Sequence, residues 1–238
     1  MPNSRILQIN SADNIGIIHT LMSIEAKLVV DSLIEELKFG RINVGEYYSA
    51  YFNDFLMPRI AFYSNRDESE VRAFALEQFG ISDTSTHLSN PIWIDSNRID
   101  TEFFSFWMDL QDLLISNPLP TDFEYGLQQI SNSHNALSFQ YKSIICEVAK
   151  SSYIYWYSNR ESWVIDNDPV FEAGGPGKWG ADPVGSDVSG AIQGVAASAV
   201  TGGGVLIGGL FGALISTLWD AGAAVGRKFC CENGCGCD

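Results

Sequence analysis

The stretch VSGAIQGVAASAVTGGGVLIGGLFGALISTLW, residues 188–219, contains no charged side chain. A helix that crosses a membrane needs about 20 mostly apolar residues to span roughly 30 Å of hydrocarbon. The stretch meets this requirement in both length and polarity. We therefore expect that it is able to enter a bilayer.

Small residues recur at every fourth position of this stretch, in two registers. The registers are Gly190, Gly194, Ser198 and Gly202, and then Gly204, Gly208, Gly212 and Ser216. Residues i and i+4 share one face of a helix, so each register forms a smooth stripe on which another backbone can pack closely. In water, glycine costs a helix about 1 kcal/mol per residue relative to alanine. The pattern therefore indicates a glycine zipper in a membrane or in a tight helix pair.

Three geometries are compatible with the stretch. The one we favour is a single span over 201–219, which rises about 28 Å, with Trp219 at the membrane interface and a small-residue helix before it. The second is a hairpin of two short helices with its turn at 202–204. In the third, the hairpin is buried in the core of a soluble protein.

The rest of the chain is acidic. The 238 residues carry a net charge of −15, which argues against binding to nucleic acid and against electrostatic docking on anionic lipid. Any contact with lipid is therefore expected from the apolar tail. The N-terminal sequence MPNSRILQINSADNIG lacks a basic region followed by an apolar run, so we do not expect a Sec signal peptide.

Helical periodicity dominates the first two thirds of the sequence and predicts an all-α bundle of about five helices. The predicted helices are 15–39 (capped by Ser11 or Asp13 and ended by Gly40), 44–63 (with a kink at Pro58), 67–79, 102–115 and 122–157, with a loop over 81–98. No alternating strand pattern of useful length is present. The predicted divisions are an acidic bundle over 1–158, a Gly/Pro-rich linker over 159–187, the hydrophobic zipper segment over 188–228 and a Cys-rich tail over 229–238.

The first and fifth predicted helices share a weak internal repeat, in which two histidines occupy equivalent positions. Ile15, His19 and Ser23 align in step with Ile130, His134 and Ser138. Two histidines on packed helices could bind a metal ion, but no Glu-x-x-His pair accompanies them, and we expect hydrogen-bonded structural histidines. No phosphate-binding, zinc-protease or serine-hydrolase motif is present. We therefore predict a non-enzymatic protein without a small-molecule cofactor.

Four cysteines crowd the C-terminus, namely Cys230, Cys231, Cys235 and Cys237. Four thiolates could bind Zn²⁺ or Cu(I), although the spacing differs from the paired Cys-x-x-Cys of structural zinc sites. The alternatives are a disulfide that staples the tail and a flexible end without a role. The sequence leaves all three open.

The runs KWGAD (178–182) and SGAIQGVA (189–196) resemble the glycine- and alanine-rich pore-forming region of bacterial peptide bacteriocins. Gly174 and Gly175 precede them, where this resemblance implies a double-glycine processing site. The opening NIGIIH (14–19) is similar to the start of uncharacterised bacterial helical proteins that also end in glycine-zipper tails. The likeness covers roughly the last 60 residues and that short opening.

These observations lead to two hypotheses of different classes. In the first, the protein is membrane-associated and non-enzymatic: its tail inserts in a lipid bilayer and self-associates through the small-residue stripes, in the sharper version as a bacteriocin-like or effector pore former exported without a Sec signal. In the second, the protein is a soluble, cytoplasmic interaction protein that buries the tail as a packed hairpin. Neither hypothesis involves nucleic acid.

Overall fold

The computed structural model describes residues 11–79, 100–116, 118–165, 168–169, 182–201 and 204–233. The helices in this part of the chain are α1 (Ala12–Lys38), α2 (Val44–Ser49), α3 (Met57–Ser64), α4 (Glu68–Phe79), α5 (Thr101–Ile115), α6 (Pro120–Ser133), α7 (Phe139–Asn159), α8 (Asp182–Thr201) and α9 (Val205–Asn233). A π-helical segment, Ala50–Leu56, joins α2 to α3, and a 3₁₀ turn, Arg160–Ser162, follows α7. Strands β1 (Val164–Ile165) and β2 (Asp168–Pro169) form one short antiparallel pair. The predicted all-α class is confirmed.

Helix α1 begins and ends where its capping residues predict. The hydroxyl of Ser11 accepts a hydrogen bond from the backbone N–H of Asn14, which satisfies one of the free donors of the first turn. At the other end Gly40 has a φ of +63°, a left-handed conformation that costs glycine little, and its N–H donates to the carbonyl of Leu37. Of the two predicted caps, Ser11 is therefore the correct one.

The second predicted helix is continuous from α2 to α3, with an irregularity before Pro58. Asn43 and Glu46 form a capping box at its start. The backbone then widens into π turns over 50–56, and the N–H of Met57 donates to the carbonyl of Phe52. Pro58 has no N–H to donate to the preceding turn, so the altered hydrogen bonding immediately before it is consistent with the predicted disturbance of the helix.

The prediction of one long helix over 122–157 is wrong. The chain leaves the helical conformation at His134, and α6 and α7 are separated by residues 134–138. A new cap starts α7, because the hydroxyl of Ser138 accepts a hydrogen bond from the N–H of Tyr141. The hydrophobic periodicity of the sequence continues across this break and predicts one helix. The cap at Ser138 starts a second helix instead. The predicted loop over 81–98 lies outside the described residues.

The tail of the chain forms the hairpin, in which α8 ends at Thr201 and α9 begins at Val205. Gly204 has a φ of +89°, and α9 begins directly after it. The favoured single span over 201–219 is therefore wrong in its bounds, because the glycine turn falls inside it. The predicted linker and zipper boundary at 187 and 188 also falls inside a helix, since α8 already begins at Asp182.

The hairpin lies at the centre of the molecule. The hairpin packs against α1 to α5 and α7, and we call these helices, with the π segment, the sheath. Helix α6 packs on α5 and α7. Side chains of both parts form one hydrophobic core, in which the most buried aromatic residues include Tyr47, Tyr51, Phe106, Trp156 and Trp219. The bundle and the tail are therefore joined by a common core.

Candidate functional site

The two predicted small-residue stripes face each other inside the hairpin. A Cβ atom built on Gly194 would lie 2.6 Å from the carbonyl carbon of Gly208, and one built on Gly212 would lie 2.6 Å from that of Gly190. Real Cβ atoms do not approach a backbone so closely. The α8 and α9 backbones are therefore in direct contact, and this contact requires glycine at these four positions.

Two serines complete the stripes. A Cβ on Gly190 would lie 2.7 Å from the Cβ of Ser216, and one on Gly208 would lie 2.8 Å from that of Ser198. Gly204 belongs instead to the turn and is exposed, so its predicted packing role is wrong. Gly202 lies outside the described residues. Trp219 was predicted at a membrane interface, but it is 2% exposed and packs edge-to-face on Phe52 at a centroid distance of 4.4 Å.

Three buried hydroxyl groups of the hairpin donate within the hairpin itself. The hydroxyls of Ser216 and Ser189 donate to the carbonyl of Ser186 at 2.8 and 3.1 Å. The hydroxyl of Thr217 donates to the carbonyl of Pro183 at 3.0 Å. A buried hydroxyl without a partner costs about 1–3 kcal/mol, so these bonds remove a cost that the sheath would otherwise have to offset.

Three tyrosines of the sheath donate to backbone carbonyls of α9. Tyr51 donates to Leu218 at 2.7 Å, Tyr47 to Gly222 at 2.8 Å and Tyr48 to Ala223 at 3.3 Å. Their rings lie where side chains of α9 would otherwise stand, because a Cβ on Gly222 would be 2.6 Å from the Cδ1 of Tyr51, and one on Gly226 would be 2.9 Å from the Cζ of Tyr48. The glycines of α9 thus leave space for the aromatic rings, and the tyrosine hydroxyls donate to backbone carbonyls at the helix surface.

A buried polar cluster joins α8 to the sheath helices α1 and α7. The Nε2 atom of His19 lies 2.8 Å from the Oδ1 of Asp187, and both side chains are 0% exposed. The approach is close, but its angle is not that of a hydrogen bond, and the Nδ1 atom of His19 has no hydrogen-bond partner within the described residues. The hydroxyl of Ser152 donates to Oδ2 of Asp187. Nearby, the hydroxyl of Tyr155 donates to the carbonyl of Ser23 at 3.0 Å.

This cluster contains Ser, His and Asp, but its arrangement is not that of a nucleophilic site. In a catalytic triad the histidine accepts the proton of the serine, whereas here Ser152 donates to the aspartate and His19 contacts the other oxygen of the same carboxylate. Full burial also keeps a substrate away. The geometry instead places an ionisable side chain of the hairpin between two polar partners from the sheath.

The second histidine has partners of its own. His134 at the end of α6 approaches Glu102 through Nδ1 at 3.2 Å and Asp109 through Nε2 at 2.8 Å. His134 thus matches the expectation of a hydrogen-bonded structural histidine, whereas His19 contacts Asp187 without a hydrogen bond from either ring nitrogen to the described residues. No group of three or more His, Cys, Asp or Glu side chains suited to a metal ion occurs in the part of the chain that the structure describes.

The described cysteines differ in state. Cys230 is disulfide-bonded, while Cys231 is an exposed free thiol. A disulfide at Cys230 agrees with the staple alternative and is incompatible with a site built from all four thiolates. Cys235 and Cys237 lie outside the described residues. Cys146 on α7 is a further free thiol, and burial raises its pKa to about 11.

One helix in the described part of the chain is long and apolar enough to cross a membrane. It is α9, over Val205–Cys231, and 82% of its most apolar window is buried inside the protein. The core helix of a soluble protein meets the same criteria of length and composition. The hairpin and its interface with the sheath are therefore the candidate functional site. The interface includes the buried contact of Asp187 with His19 and Ser152, which we call the Asp187 cluster.

The glycine contact in the hairpin leads to a prediction about stability. We expect Gly194→Ala to lower the free energy of unfolding by about 2–3 kcal/mol, because the new methyl group would have to push two backbones apart. Gly185→Ala in the same helix is the matched control, since its Cβ would meet only Trp107 at an ordinary 3.8 Å. The control should be neutral or stabilising by up to about 1 kcal/mol. Denaturant unfolding of both variants measures the difference, and equal stabilities would contradict the close contact.

The buried tyrosines lead to a prediction about alkaline pH. Burial raises the pKa of Tyr47 and Tyr51, and that of Tyr155 to about 12. Above about pH 10 the unfolded chain loses tyrosine protons that the folded chain retains, so the free energy of unfolding should fall as pH rises, by up to about 1.4 kcal/mol per pH unit for each such tyrosine.

Denaturation at pH 9, 10 and 11 measures this slope. Tyr51→Phe should make the slope shallower, and Tyr125→Phe, at a position that is 66% exposed, serves as the control. A wild-type slope in Tyr51→Phe would show that its hydroxyl is not held as a neutral donor.

No family model, no curated protein and no solved structure matches the chain. The function of the protein must therefore be inferred from its own contacts, above all from those between the hairpin and the sheath.

Proposed function

We propose that this is a non-enzymatic membrane-associated protein that stores an apolar glycine-zipper hairpin inside a helical sheath and inserts it in a lipid bilayer. The observation that carries the proposal is the interface between the two helices of the hairpin. Its two helices meet through glycine backbones, and its buried hydroxyls donate to its own carbonyls. Such an interface does not depend on the surrounding solvent.

Transfer from protein to lipid is physically reasonable for a unit of this kind. In hydrocarbon, helices associate through close van der Waals packing of small residues, because the hydrophobic effect between helices is absent. The contacts of Gly190 with Gly212, and of Gly194 with Gly208, are of this type. Apolar residues such as Val188, Ile192 and Leu214 now pack in the shared core, and lipid chains could replace that environment.

The position of Asp187 fits an insertion that begins at the glycine turn. Asp187 lies near the open end of the hairpin, about 21 Å along α8 from residue 201 at 1.5 Å per residue. A charged side chain is costly in the centre of a bilayer and much less so near the interface. A hairpin that enters turn-first would therefore leave Asp187 near the headgroups. The net charge of −15 favours a membrane without excess negative charge.

In the proposed active form the protein is membrane-associated, and several hairpins assemble in the bilayer. In the stored form the two stripes are occupied by each other, so assembly through them would require the hairpin to open or to use its outer faces. Pore formation of the bacteriocin or effector type is the sharper version of this proposal. It is supported by the glycine zipper and by the length of α9.

A second candidate function is a soluble interaction protein in which the hairpin never leaves the core. It is favoured by the 82% burial of the apolar window of α9 and by the tyrosine hydrogen bonds to its carbonyls. In this case the glycines are a packing solution for a crowded core. The two functions differ in one observable property, which is the environment of the hairpin turn when lipid is present.

A fluorophore at the turn tests the proposal. We would attach NBD to Leu206→Cys in the full chain with Cys231→Ser, since Leu206 is partly buried at the turn and Cys231 is the exposed native thiol. With vesicles of zwitterionic phosphatidylcholine, the turn label should become brighter and protected from dithionite. The same label at Glu35→Cys, on an exposed part of α1, should stay accessible. Equal accessibility of both labels would support the soluble function instead.

The Asp187 cluster gives a second prediction of this proposal. Asp187→Asn removes the charge that faces His19 and should lower the free energy of unfolding by about 3 kcal/mol, since one partner of a buried ionisable pair is lost. It weakens the contact between hairpin and sheath, whereas the interior of the hairpin stays intact, so the NBD label should become protected faster than in the parent protein.

Asp31→Asn is the control for this variant. Asp31 pairs with Lys27 at the surface and is 52% exposed, so its loss should cost less than about 1 kcal/mol and leave the insertion rate unchanged. If both variants inserted at the rate of the parent protein, the Asp187 cluster would have no part in holding the hairpin.

A further inference from the structure

A groove of about 490 Å³ runs between α1 and α7 on the outside of the sheath. The large apolar side chains in its lining are Ile17, Leu21 and Ile24 from α1 and Ile154 from α7, and polar side chains such as Thr20 and Ser151 lie beside them. These four side chains are 40–51% exposed, although each is a large hydrophobic residue. At Gly16 the two helices come close, because a Cβ there would lie 3.3 Å from the carbonyl oxygen of Glu147.

The spacing of the exposed side chains suits a helical occupant. Helix α1 has two apolar faces: one, with Ile15, Ile18 and Met22, is buried in the core, and the other is exposed. The exposed face has Ile17, Leu21, Ile24 and Leu28, at intervals of four, three and four residues. This alternation is the seam along which a second helix packs. A helix that is apolar on two faces generally contacts partners on both.

The charged side chains at one end of the groove indicate which charge a partner should carry. Asp13 and Glu147 line that end together with Lys150, and Lys150 also lies 3.6 Å from Glu124. Three carboxylates thus surround one ammonium group. Burial raises the pKa of Glu147, Lys150 lowers it, and the carboxylates of Asp13 and Glu124 raise it further. The local excess of negative charge is complementary to a lysine or an arginine.

We propose that the groove between α1 and α7 binds an amphipathic helix of a partner protein, with a lysine or arginine placed beside Asp13 and Glu147. A second copy of this chain is a poorer occupant, since each copy carries a net charge of −15 and would bring its own carboxylates to the groove. The inference stands apart from membrane insertion, because the groove lies on the outer face of the sheath.

Two model peptides test the inference with the full chain. One is a leucine/lysine amphipathic helix of about 14 residues, roughly four turns, and the other is its leucine/glutamate counterpart. Calorimetric titration should show binding of the lysine peptide only. Leu21→Gln with Ile24→Gln should weaken that binding by about tenfold or more, whereas Leu76→Gln with Met108→Gln, at two exposed positions outside the groove, should not change it.

A second pair of variants separates specific charge recognition from general attraction to an acidic protein. Asp13→Asn with Glu147→Gln and Asp54→Asn with Glu77→Gln change the net charge equally, but only the first pair lies at the groove. The first pair should weaken binding of the lysine peptide more than the second. Circular dichroism verifies that each variant is folded. Equal binding by the parent and the Leu21/Ile24 variant, or a parental dimer that this variant dissociates, would overturn the inference.

Discussion

The direct contact between the backbones of α8 and α9 is the constraint on which the rest of the structure depends. At Gly190, Gly194, Gly208 and Gly212 any side chain would overlap the facing helix. Because the helices are so close, the hairpin is slim enough for one layer of helices to surround it. The aromatic residues of the sheath then fill the space that the missing side chains leave, as Tyr51 does over Gly222.

The same constraint divides the polar interactions into two groups. Ser189, Ser216 and Thr217 donate within the hairpin, whereas Tyr47 and Ser152 of the sheath donate to the hairpin. Detachment would therefore cost the sheath its acceptors and would cost the hairpin mainly the partners of Asp187. In the proposed function the hairpin is the unit that moves, and the partners of Asp187 are among the contacts that it would lose.

The exposed apolar side chains of the sheath belong to the second proposal, the groove between α1 and α7. The outer face of α1 keeps Ile17, Leu21 and Ile24 in contact with water, although the inner face of the same helix already supplies part of the core. An exposed apolar face lowers the solubility of a protein, and a partner helix bound to that face would shield it from water. The groove and the hairpin interface share one helix, since α1 also holds His19 against Asp187.

The amino-acid sequence by itself determined the helical class, most of the helix starts and ends, and the two small-residue stripes, because periodicity, caps and glycine spacing are local properties. It did not reveal the break after Ser133, where apolar periodicity continues across a local capping interaction at Ser138. Only the tertiary structure decided what the stripes pack against, that Trp219 is buried against Phe52, and that Asp187 faces His19 from 168 positions along the chain. A glycine stripe has the same sequence whether a membrane, a second copy or the same chain covers it, so its partner depends on contacts that no local pattern contains.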